Sequence, residues 1–386
     1  MSQALRGSAA VVGVGLAGLG EAPGGRSAID IMAEAAHAAL ADAGLSVRDV
    51  DGLFPCSSFH MLPGVVVAEY LGIRPTFSDA NMIGGASPVH HLLNAALALQ
   101  AGLCKVALIC YGSNQRTGFG RLAANSLSDP RPHEIPYHPR YPISAYALAA
   151  ARHMHEFGTT REQLAEVAVA ARKWAAMNPR AFMREPLSIQ DVLSSRIIAY
   201  PLTVRDCCLV TDGGGAAVMV RADRARDCRT QPVYLLGAAT AHWHWQISTM
   251  WDLTTTAAAD SGRGAFKMAG LSPADIDVLQ LYDAFTINPI LFLEDLGFCR
   301  KGEGGAFVAN GRIAPGGSLP VNTNGGGLSF GHPGAYGVFT IVEAVEQLRG
   351  QSGERQVKGA KTALCHGNGA VLSAQSTAIL GTAAAL

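Results

Sequence analysis

Residues 43–53 read AGLSVRDVDGL, and residues 269–279, 226 positions later, read AGLSPADIDVL. Seven of the eleven positions are identical. A match of this quality within one chain indicates that a structural unit has been duplicated. Each copy follows a stretch with the pattern of a helix, at 29–43 or 261–269, and leads into an apolar stretch with the pattern of a strand. The repeated segment therefore predicts an α/β fold.

The correspondence between the two copies continues downstream in the same order. Residues 69–72 and 294–297 are each predicted to end a helix, with a glycine just beyond its last turn. Two glycine-rich turns follow, at 84–88 and 325–329, and each is predicted to open a helix that leads to another strand. Four matches in the same order exceed what chance would give, so the sequence predicts two copies of one βαβ unit.

The two copies and the sequence between them define the predicted domain organisation. We predict an N-terminal half at 1–235 and a C-terminal half at 236–386, packed as a pseudo-dimer within one chain. The N-terminal half contains an insert at about 113–201, which is predicted to open with a polar, proline-rich loop at 129–139 and to continue in a helix at 144–157. Inserts of this kind commonly cover a functional site.

The composition is that of a globular protein with a large core and no charge bias. Of the 386 residues, 49% are hydrophobic and 16% are charged, and 30 basic residues balance 30 acidic ones. This balance excludes steering towards nucleic acid or an anionic membrane, so small molecules or other chains are the expected partners. Residues 7–20 read as a buried strand rather than a signal peptide, and residues 80–104 contain too many polar side chains for a membrane span.

The eight cysteines do not indicate a disulfide framework or a zinc site. The chain is long, and Cys207 and Cys208 are neighbours that could scarcely form a disulfide without strain. No two cysteines have the CxxC spacing that is usual for zinc ligands. We therefore expect no metal, and a reducing cytoplasm as the compartment.

Three motifs carry a resemblance to a known family. They are NTNGG at 322–326 running into GHP at 331–333, CHGNG at 365–369, and DCCLVTDG at 206–213. With the duplication and the insert, these motifs resemble the thiolase superfamily, and most of all the sterol-carrier-type thiolases and the thiolase-like lipid-transfer proteins and aldolases of bacterial steroid degradation. The resemblance covers nearly the whole chain. It implies a thiolase-like fold of five αβαβα layers, with a helical insert.

The resemblance also implies a substrate class and partners. The substrate would be an acyl-CoA thioester, with coenzyme A as part of the substrate and no further cofactor. Thiolases pair through central strands and helices of the first half, so a homodimer is expected. Relatives among the lipid-transfer proteins bind a separate protein with a zinc ribbon and an OB-fold, and such a partner is a further expectation.

Three residues are expected to be catalytic. His332 matches the histidine of the thiolase GHP motif, and Cys365 matches the cysteine of the CxGxG motif, which act as acid and base. The thiolase nucleophile is missing, because the matching turn at 81–88 contains no cysteine. Tyr282 stands where thiolases carry Asn or His before an acidic residue, and it places a phenol there. Each also has a simpler interpretation, since His332 could be a satisfied polar group, Cys365 a buried strand end, and Tyr282 a packing residue.

The same comparison implies a set of residues that contact the substrate, from the two glycine-rich turns and the segments that follow them. They are Gly85, Ser87, Asn324, Tyr336 and Gly367. Ser87 could also be a displaced nucleophile, but no general base is evident beside it, so this reading is not favoured.

The missing cysteine decides among three hypotheses for the function. Without a thiol to carry an acyl group, the first hypothesis is an aldolase that cleaves a β-hydroxyacyl-CoA, with donors aimed at the enolate oxygen and a base for the hydroxyl proton. The second is a thiolase or acyltransferase with a relocated nucleophile. The third is a non-catalytic subunit that binds acyl-CoA or lipid, which the presence of both His332 and Cys365 disfavours.

Overall fold

The computed structural model of the chain describes residues 5–118 and 133–386, so part of the predicted loop, at 129–132, lies outside the described residues. The strands in the described residues are β1 (Ala9–Gly20), β2 (Gly52–Cys56), β3 (Phe77–Ser78), β4 (Val106–Ser113), β5 (Ile197–Ala199), β6 (Leu202–Thr203), β7 (Asp212–Arg221), β8 (Val233–Ala241), β9 (Val278–Leu281), β10 (Thr362–Gly369) and β11 (Ala374–Gly381). The α-helices are α1 (Ala28–Ala43), α2 (Pro63–Leu71), α3 (Ser87–Gln100), α4 (Ile143–Phe157), α5 (Arg161–Ala176), α6 (Ile189–Leu193), α7 (Ala258–Ala269), α8 (Ile287–Asp295), α9 (Gly304–Val308) and α10 (Gly337–Leu348). None of these helices is long and apolar enough to cross a membrane.

Nine strands form one mixed sheet whose two sides have the same topology. The strand order is β3-β2-β4-β7-β1-β8-β11-β10-β9. From the centre outwards, β1, β7, β4 and β2 on one side correspond to β8, β11, β10 and β9 on the other. The first two contacts on each side are antiparallel and the third is parallel. The predicted duplication is therefore confirmed at the level of strand order and direction.

The repeated sequence segment has the same local structure in both copies. Gly44 and Gly270 end α1 and α7 in the left-handed conformation. The following Ser46 and Ser272 then cap a short 3-10 turn, and each serine hydroxyl donates to the aspartate three residues later, at 2.9 Å and 2.7 Å. This reciprocal cap satisfies the free backbone groups of the turn and directs the chain into the next strand. The identical residues of the repeat are thus those that stop a helix and start a strand.

The helices and the two sides of the sheet form five layers. Helices α3 and α10 pack against each other between the two sides, while α1 covers the outer face of β1, β4 and β7, and α7 covers the outer face of β8 and β11. Side chains alternate between these layers, as in β1, where Val11 joins the inner core and Val12 joins the outer core with α1. This arrangement confirms the predicted αβαβα layers.

The two halves meet at the centre of the sheet. Only two residue pairs join β1 to β8, Ala10 with Tyr234 and Val11 with Val233. The predicted boundary after residue 235 falls inside β8.

The second glycine-rich turn differs from the prediction. The first turn runs directly into α3 at Ser87, as expected. In the second copy, residues Gly326–Phe330 form a short π-helix and α10 begins only at Gly337. Pro333 and the glycines on either side of it interrupt the helix between these points, because proline lacks a backbone donor and disfavours helical conformation in the residue before it. The loop that results carries His332.

Candidate active site

Tyr282 stands directly after β9, where β9 and β10 run side by side. Its backbone N–H donates to the carbonyl of His366 at 3.1 Å and so extends the pairing of the two strands by one residue. Its ring lies against Gly85, because a Cβ atom added to Gly85 would stand only 2.0 Å from the ring carbon Cε2. Position 85 therefore has to be glycine for this tyrosine to enter the site.

Tyr282 and His332 form a direct hydrogen bond. The phenol oxygen lies 2.8 Å from Nε2 of the imidazole, and the two rings are nearly perpendicular. The backbone N–H of His332 donates to the hydroxyl of Thr211 at 2.9 Å, which fixes the loop that carries the ring. The structure thus brings together two of the three predicted catalytic residues, from positions 50 apart in sequence.

Both members of this pair are uncharged at neutral pH. Burial lowers the pKa of His332 to about 4. Burial also raises the pKa of Tyr282 well above its ordinary value, and the nearby Cys208 and Tyr146 raise it further. A neutral imidazole has one N–H and one acceptor nitrogen, so the pair can point either an N–H or an O–H at a bound ligand, according to the tautomer.

Tyr336 and Asn324, two of the predicted substrate-binding residues, lie beside this pair. Tyr336 caps α10, and its ring is perpendicular to that of Tyr282 at 5.8 Å and stacked on that of His332 at 6.3 Å. Its hydroxyl donates to Oδ1 of Asn324 at 2.7 Å, and the same oxygen accepts from the backbone of Gly326. The hydrogen bond to Asn324 therefore fixes the Tyr336 hydroxyl. The Tyr336 ring packs behind the Tyr282–His332 pair.

The first glycine-rich turn packs against the end of β10 without intervening side chains. A Cβ atom at Gly367 would stand 2.8 Å from the Cα atom of Ala86, and one at Gly369 would stand 1.7 Å from the carbonyl oxygen of Ile83. The predicted substrate-binding residues Gly85 and Gly367 thus meet, as the pseudo-symmetry of the halves predicts. Their backbone atoms form the floor next to Tyr282.

Ser87 has a structural role in this arrangement. Its side chain is fully buried at the first position of α3, and its hydroxyl accepts from the backbone N–H of Ile83 at 2.8 Å. This bond closes the turn at 83–87. Among the described residues, the Ser87 hydroxyl has no hydrogen bond to Tyr282 or His332.

Cys365, the third predicted catalytic residue, is placed differently from the other two. Its thiol donates to the carbonyl of Thr340 in α10 at 3.4 Å, inside the apolar layer between the two sides of the sheet. Burial raises its pKa, which keeps the thiol protonated. The described structure gives this thiol no hydrogen bond to Tyr282 or His332. Cys365 and Gly367 are two residues apart and so face the same side of β10, but it is Gly367 that meets the turn of the first half, whereas Cys365 meets α10.

No cysteine of the chain is prepared to act as a nucleophile. All eight cysteines are free, and burial raises the pKa of every one of them. Thiolate rather than thiol is the reactive form, so a raised pKa opposes attack on a thioester. Cys208 is the cysteine that lies close enough to Tyr282 for their ionisations to influence each other, and its thiol is among those that burial keeps protonated. The turn at 81–88 contains no cysteine, as the sequence shows.

Asp283 is a buried carboxyl group to which the sequence analysis gave no role. It follows Tyr282 and accepts hydrogen bonds from the backbone N–H of Gly327 at 2.6 Å and of Leu328 at 3.4 Å, at the start of the π-helix. Burial raises its pKa to about 7, although these bonds oppose the shift. Asp283 therefore ties the loop that leads to His332 to the strand that carries Tyr282.

Tyr146 was also missed by the sequence analysis. It lies on α4 of the insert, its hydroxyl accepts from Nδ2 of Asn368 at 2.7 Å, and its ring packs on Phe285 at 4.4 Å. On an apolar helix face a tyrosine looks like an ordinary core residue, so no local pattern distinguishes it. Its place beside the site depends on how the insert folds back over the C-terminal half.

Two cavities lie against the helices of the insert. The larger, about 690 Å³, lies against α4 and is mainly apolar, with Tyr137, Leu148, Tyr200, Met250 and Leu253 among its lining residues. The smaller, about 310 Å³, reaches Leu328 in the π-helix and is lined by Arg172, Arg205 and Cys207, with further apolar residues. In the described parts of the chain, no cluster of three or more histidine, cysteine or acidic side chains is arranged to hold a metal ion.

Comparison with known proteins identifies the family. The profile described as "Thiolase C-terminal domain-like" matches residues 239–382. The chain is 37% identical to "17-hydroxy-3-oxo-4-pregnene-20-carboxyl-CoA lyase" of Mycobacterium tuberculosis, over 90% of this chain and 93% of that one. It is 35% identical to "Acetyl-CoA acetyltransferase" of Methanothermobacter thermautotrophicus, over 88% of this chain and 91% of that one.

A solved structure resembles the fold over its whole length. This structure, "Ltp2-ChsH2(DUF35) aldolase", matches with a TM-score of 0.88 and 34% identity, and the match covers 98% of both chains. Three observations indicate the same family. Two relatives above 30% identity are matched over about nine tenths of their length. The duplicated five-layer fold and the GHP motif beside the glycine-rich turns agree with them. The chain therefore belongs to the thiolase superfamily of enzymes.

Proposed function

We propose that this enzyme catalyses retro-aldol cleavage of a β-hydroxyacyl-CoA, releasing a ketone or aldehyde and a shortened acyl-CoA. The observation that carries the proposal is the hydrogen bond between Tyr282 and His332, 2.8 Å long, beside a turn that offers no thiol. A neutral pair that points one N–H or O–H at its ligand suits an enolate oxygen, whereas an acyl-enzyme would need a thiolate.

The proposed reaction needs no cofactor beyond the coenzyme A of the substrate. A base removes the proton of the β-hydroxyl group, the bond between Cα and Cβ breaks, and its electron pair forms the enolate of the thioester. The oxygen at Cβ becomes a carbonyl, and Cα then takes up a proton. The Tyr282–His332 pair would donate to the enolate oxygen, and such donors contribute about 3 to 4 kcal/mol each in comparable sites. No net oxidation occurs, so no electron acceptor is required.

The two cavities supply a way to hold an acyl-CoA. Arg172 and Arg205 lie close enough to affect each other electrostatically, and Glu185 and Asp191 are the carboxylates that interact with them. Two guanidinium groups side by side suit the phosphates of coenzyme A. The larger apolar cavity against α4 has the size and lining for a bulky acyl group. The M. tuberculosis relative is named for such a substrate.

A second candidate function is thiolysis by a thiolase with a relocated nucleophile. The observation that favours it is the 35% identity to a protein named acetyl-CoA acetyltransferase. Cys208 would be the candidate nucleophile, because it lies close enough to Tyr282 for their ionisations to influence each other. Its raised pKa opposes this role.

The proposal includes two protein partners. A homodimer is supported by the edge strand β3 and by apolar side chains exposed at the start of α2, Met61, Leu62 and Val65. A second chain with a zinc ribbon and an OB-fold is supported by the similar aldolase structure, whose name includes a DUF35 component. Eight free cysteines are in keeping with a reducing cytoplasm.

The deciding experiment measures dependence on free CoA. The enzyme, co-expressed with any such partner encoded beside it, is incubated with a β-hydroxyacyl-CoA alone, and separately with the β-ketoacyl-CoA of the same chain plus CoA. We expect a carbonyl product and a shortened acyl-CoA from the first mixture, and no added acyl mass on the protein by intact mass spectrometry. Acylation that disappears in Cys208→Ser, together with activity only in the second mixture, would establish the thiolase instead.

A further inference from the structure

The insert contributes a second phenol to the site. Tyr146 lies on the inner face of α4 and is 2% exposed. Its ring packs at 4.4 Å on Phe285, three residues after Tyr282, and its hydroxyl meets Asn368 at 2.7 Å. Asn368 lies between Gly367 and Gly369, the two glycines that pack on the first glycine-rich turn. Tyr146 therefore approaches the same floor as Tyr282, but from the side of the insert.

A chain of buried hydrogen bonds holds the Tyr146 oxygen as an acceptor. The amide of Asn368 donates to it, and the Asn368 oxygen accepts from Nε2 of Gln375 at 2.7 Å. The Gln375 oxygen lies 2.7 Å from Nε2 of His366, so that nitrogen must carry the proton. The other nitrogen, Nδ1, then accepts from the hydroxyl of Thr377 at 2.9 Å. In each hydrogen bond of this series, the acceptor is the group nearer to Tyr146.

This polarity leaves the proton of Tyr146 poorly bound. The phenol oxygen already accepts from Asn368, so the O–H has to find an acceptor elsewhere. The acceptor with hydrogen-bond geometry is the carbonyl of Ala370, at 3.3 Å, which is beyond the usual length of an O–H···O bond. A buried donor without a good acceptor is destabilising. A ligand oxygen in the site would satisfy it.

Two further features mark the surroundings of Tyr146 as built for a ligand. Asn288 on α8 is fully buried and interacts with the Tyr146 hydroxyl, which opposes the rise of the Tyr146 pKa, but neither of its amide atoms has hydrogen-bond geometry to any partner among the described residues. Ala370 and Leu372 both have positive φ, 50° and 58°, a strained conformation for these residues. Buried polar groups without partners and backbone strain occur together at functional sites more often than in ordinary cores.

We propose that the Tyr146 hydroxyl donates a hydrogen bond to the substrate oxygen at Cβ, and that the chain from Thr377 to Asn368 sets the direction of this bond. The inference rests on the proposed function, in which the Tyr282–His332 pair takes the thioester oxygen and leaves the oxygen at Cβ for the opposite wall. That oxygen is a hydroxyl before cleavage and a carbonyl after it, and it can accept from Tyr146 in both states.

The test compares ligands that have or lack the oxygen at Cβ. Tyr146→Phe keeps the ring and removes the donor, and Tyr234→Phe, at the far end of β8, is the matched control. We expect Tyr146→Phe to weaken binding of a β-hydroxyacyl-CoA by roughly 5- to 10-fold and to lower kcat/KM for cleavage by about 10- to 100-fold. Binding of the plain acyl-CoA of the same length should be unchanged, and Tyr234→Phe should behave as the wild type throughout.

A merely structural role for Tyr146 would affect both ligands equally, and that result would overturn the inference. Thr377→Val provides an independent arm, since it removes the far end of the chain and should cause a smaller loss with the same selectivity. If the wild type binds the β-hydroxyacyl-CoA but does not cleave it, the proposed reaction fails. The binding comparison still decides the role of Tyr146 in that case.

Discussion

The Tyr282 side chain needs room in the site. That room comes from Gly85, and the phenol reaches His332 directly. Because burial holds both groups in their neutral forms, the pair can donate to an oxyanion over a wide pH range without losing its hydrogen bond.

The first prediction concerns the Tyr282 hydroxyl. Tyr282→Phe keeps the ring against Gly85 and removes the donor, so we expect the fold to be retained while kcat falls by roughly 100-fold or more and KM changes little. Steady-state kinetics with a β-hydroxyacyl-CoA, with Tyr234→Phe as control, checks this. A variant with wild-type kcat would show that Tyr282 only packs.

The second prediction concerns the pH dependence of stability through Asp283. Its pKa is raised to about 7 in the folded protein, above the ordinary value of 3.8, so the folded state binds the proton more tightly than the unfolded state. The stability that Asp283 contributes is therefore present below pH 3.8 and is lost as the pH rises through 7. Asp283→Asn cannot ionise and should escape this loss.

Urea unfolding of the wild type and of Asp283→Asn at pH 5 and pH 8 measures the effect. We expect the variant to gain roughly 2 to 4 kcal/mol relative to the wild type between the two pH values, at about 1.4 kcal/mol per pKa unit. The exposed Asp275→Asn is the control, because the serine cap lowers the pKa of Asp275 below 3.8, so this group is ionised at both pH values and its replacement should have the same effect at each. A difference between wild type and Asp283→Asn that does not change with pH would contradict the assignment.

At the scale of elements, the turn before α3 is fixed by contact with the other half. Gly84 has φ +69°, and a Cβ atom there would stand 2.7 Å from the Cα atom of Gly369. The backbones of the turn and of β10 are thus in contact at Gly84 and Gly369, and no space is left there for a side chain. A cysteine introduced at Gly84 would face the same obstruction, so a thiolase nucleophile cannot be placed there without moving β10.

The third prediction separates this obstruction from backbone strain. Gly72 has nearly the same φ, +67°, with nothing within 4 Å of an added Cβ atom, so Gly72→Ala costs only the strain of the left-handed conformation, about 1 kcal/mol. Gly84→Ala should cost about 1 to 3 kcal/mol more, because the atoms it meets are backbone. Urea unfolding of both variants gives the difference in the free energy of unfolding. Equal losses of stability would mean that the turn moves to accommodate the added methyl group.

Local sequence patterns predicted the elements that depend on local chemistry. The helices before the repeat were predicted to end at 43 and 269, and Gly44 and Gly270 stop them there. The serine caps that follow, at Ser46 and Ser272, were not predicted. The pairing of Tyr282 with His332 was expected only because motifs and pseudo-symmetry placed them together. The orientation of Cys365 and the approach of Tyr146 were not predictable, since each depends on how distant layers pack.

At the scale of the whole molecule, the first half presents an unpaired edge. Strand β3 ends the sheet, and the nearby α2 exposes Val65 while Met61 and Leu62 precede it in solvent. The second half ends instead at β9, whose outer side is covered by the segment around Val321. An exposed strand edge beside apolar side chains is typical of a surface that pairs with its own copy around a two-fold axis.

The fourth prediction tests that surface. We expect light scattering at micromolar concentration to give twice the chain mass of 40.2 kDa, and Val65→Glu to shift the protein towards a single chain, because a carboxylate at a two-fold axis faces its own copy. Ile197→Glu, an equally exposed apolar position in the insert, is the control and should stay dimeric. A wild type that runs as a single chain would exclude the homodimer.

The central position of β1 has a consequence for how the protein is made. Its only partners in the sheet are β7 and β8, and the register joins Ala9 to Arg221. Strand β1 therefore waits for β7 to be synthesised, roughly ten to forty seconds later at ordinary translation rates. Until then both of its edges are open and α3 lacks α10 beside it. A nascent chain of this protein should be a substrate for chaperones that bind extended apolar segments, and a slow codon run after β7 would suit its assembly.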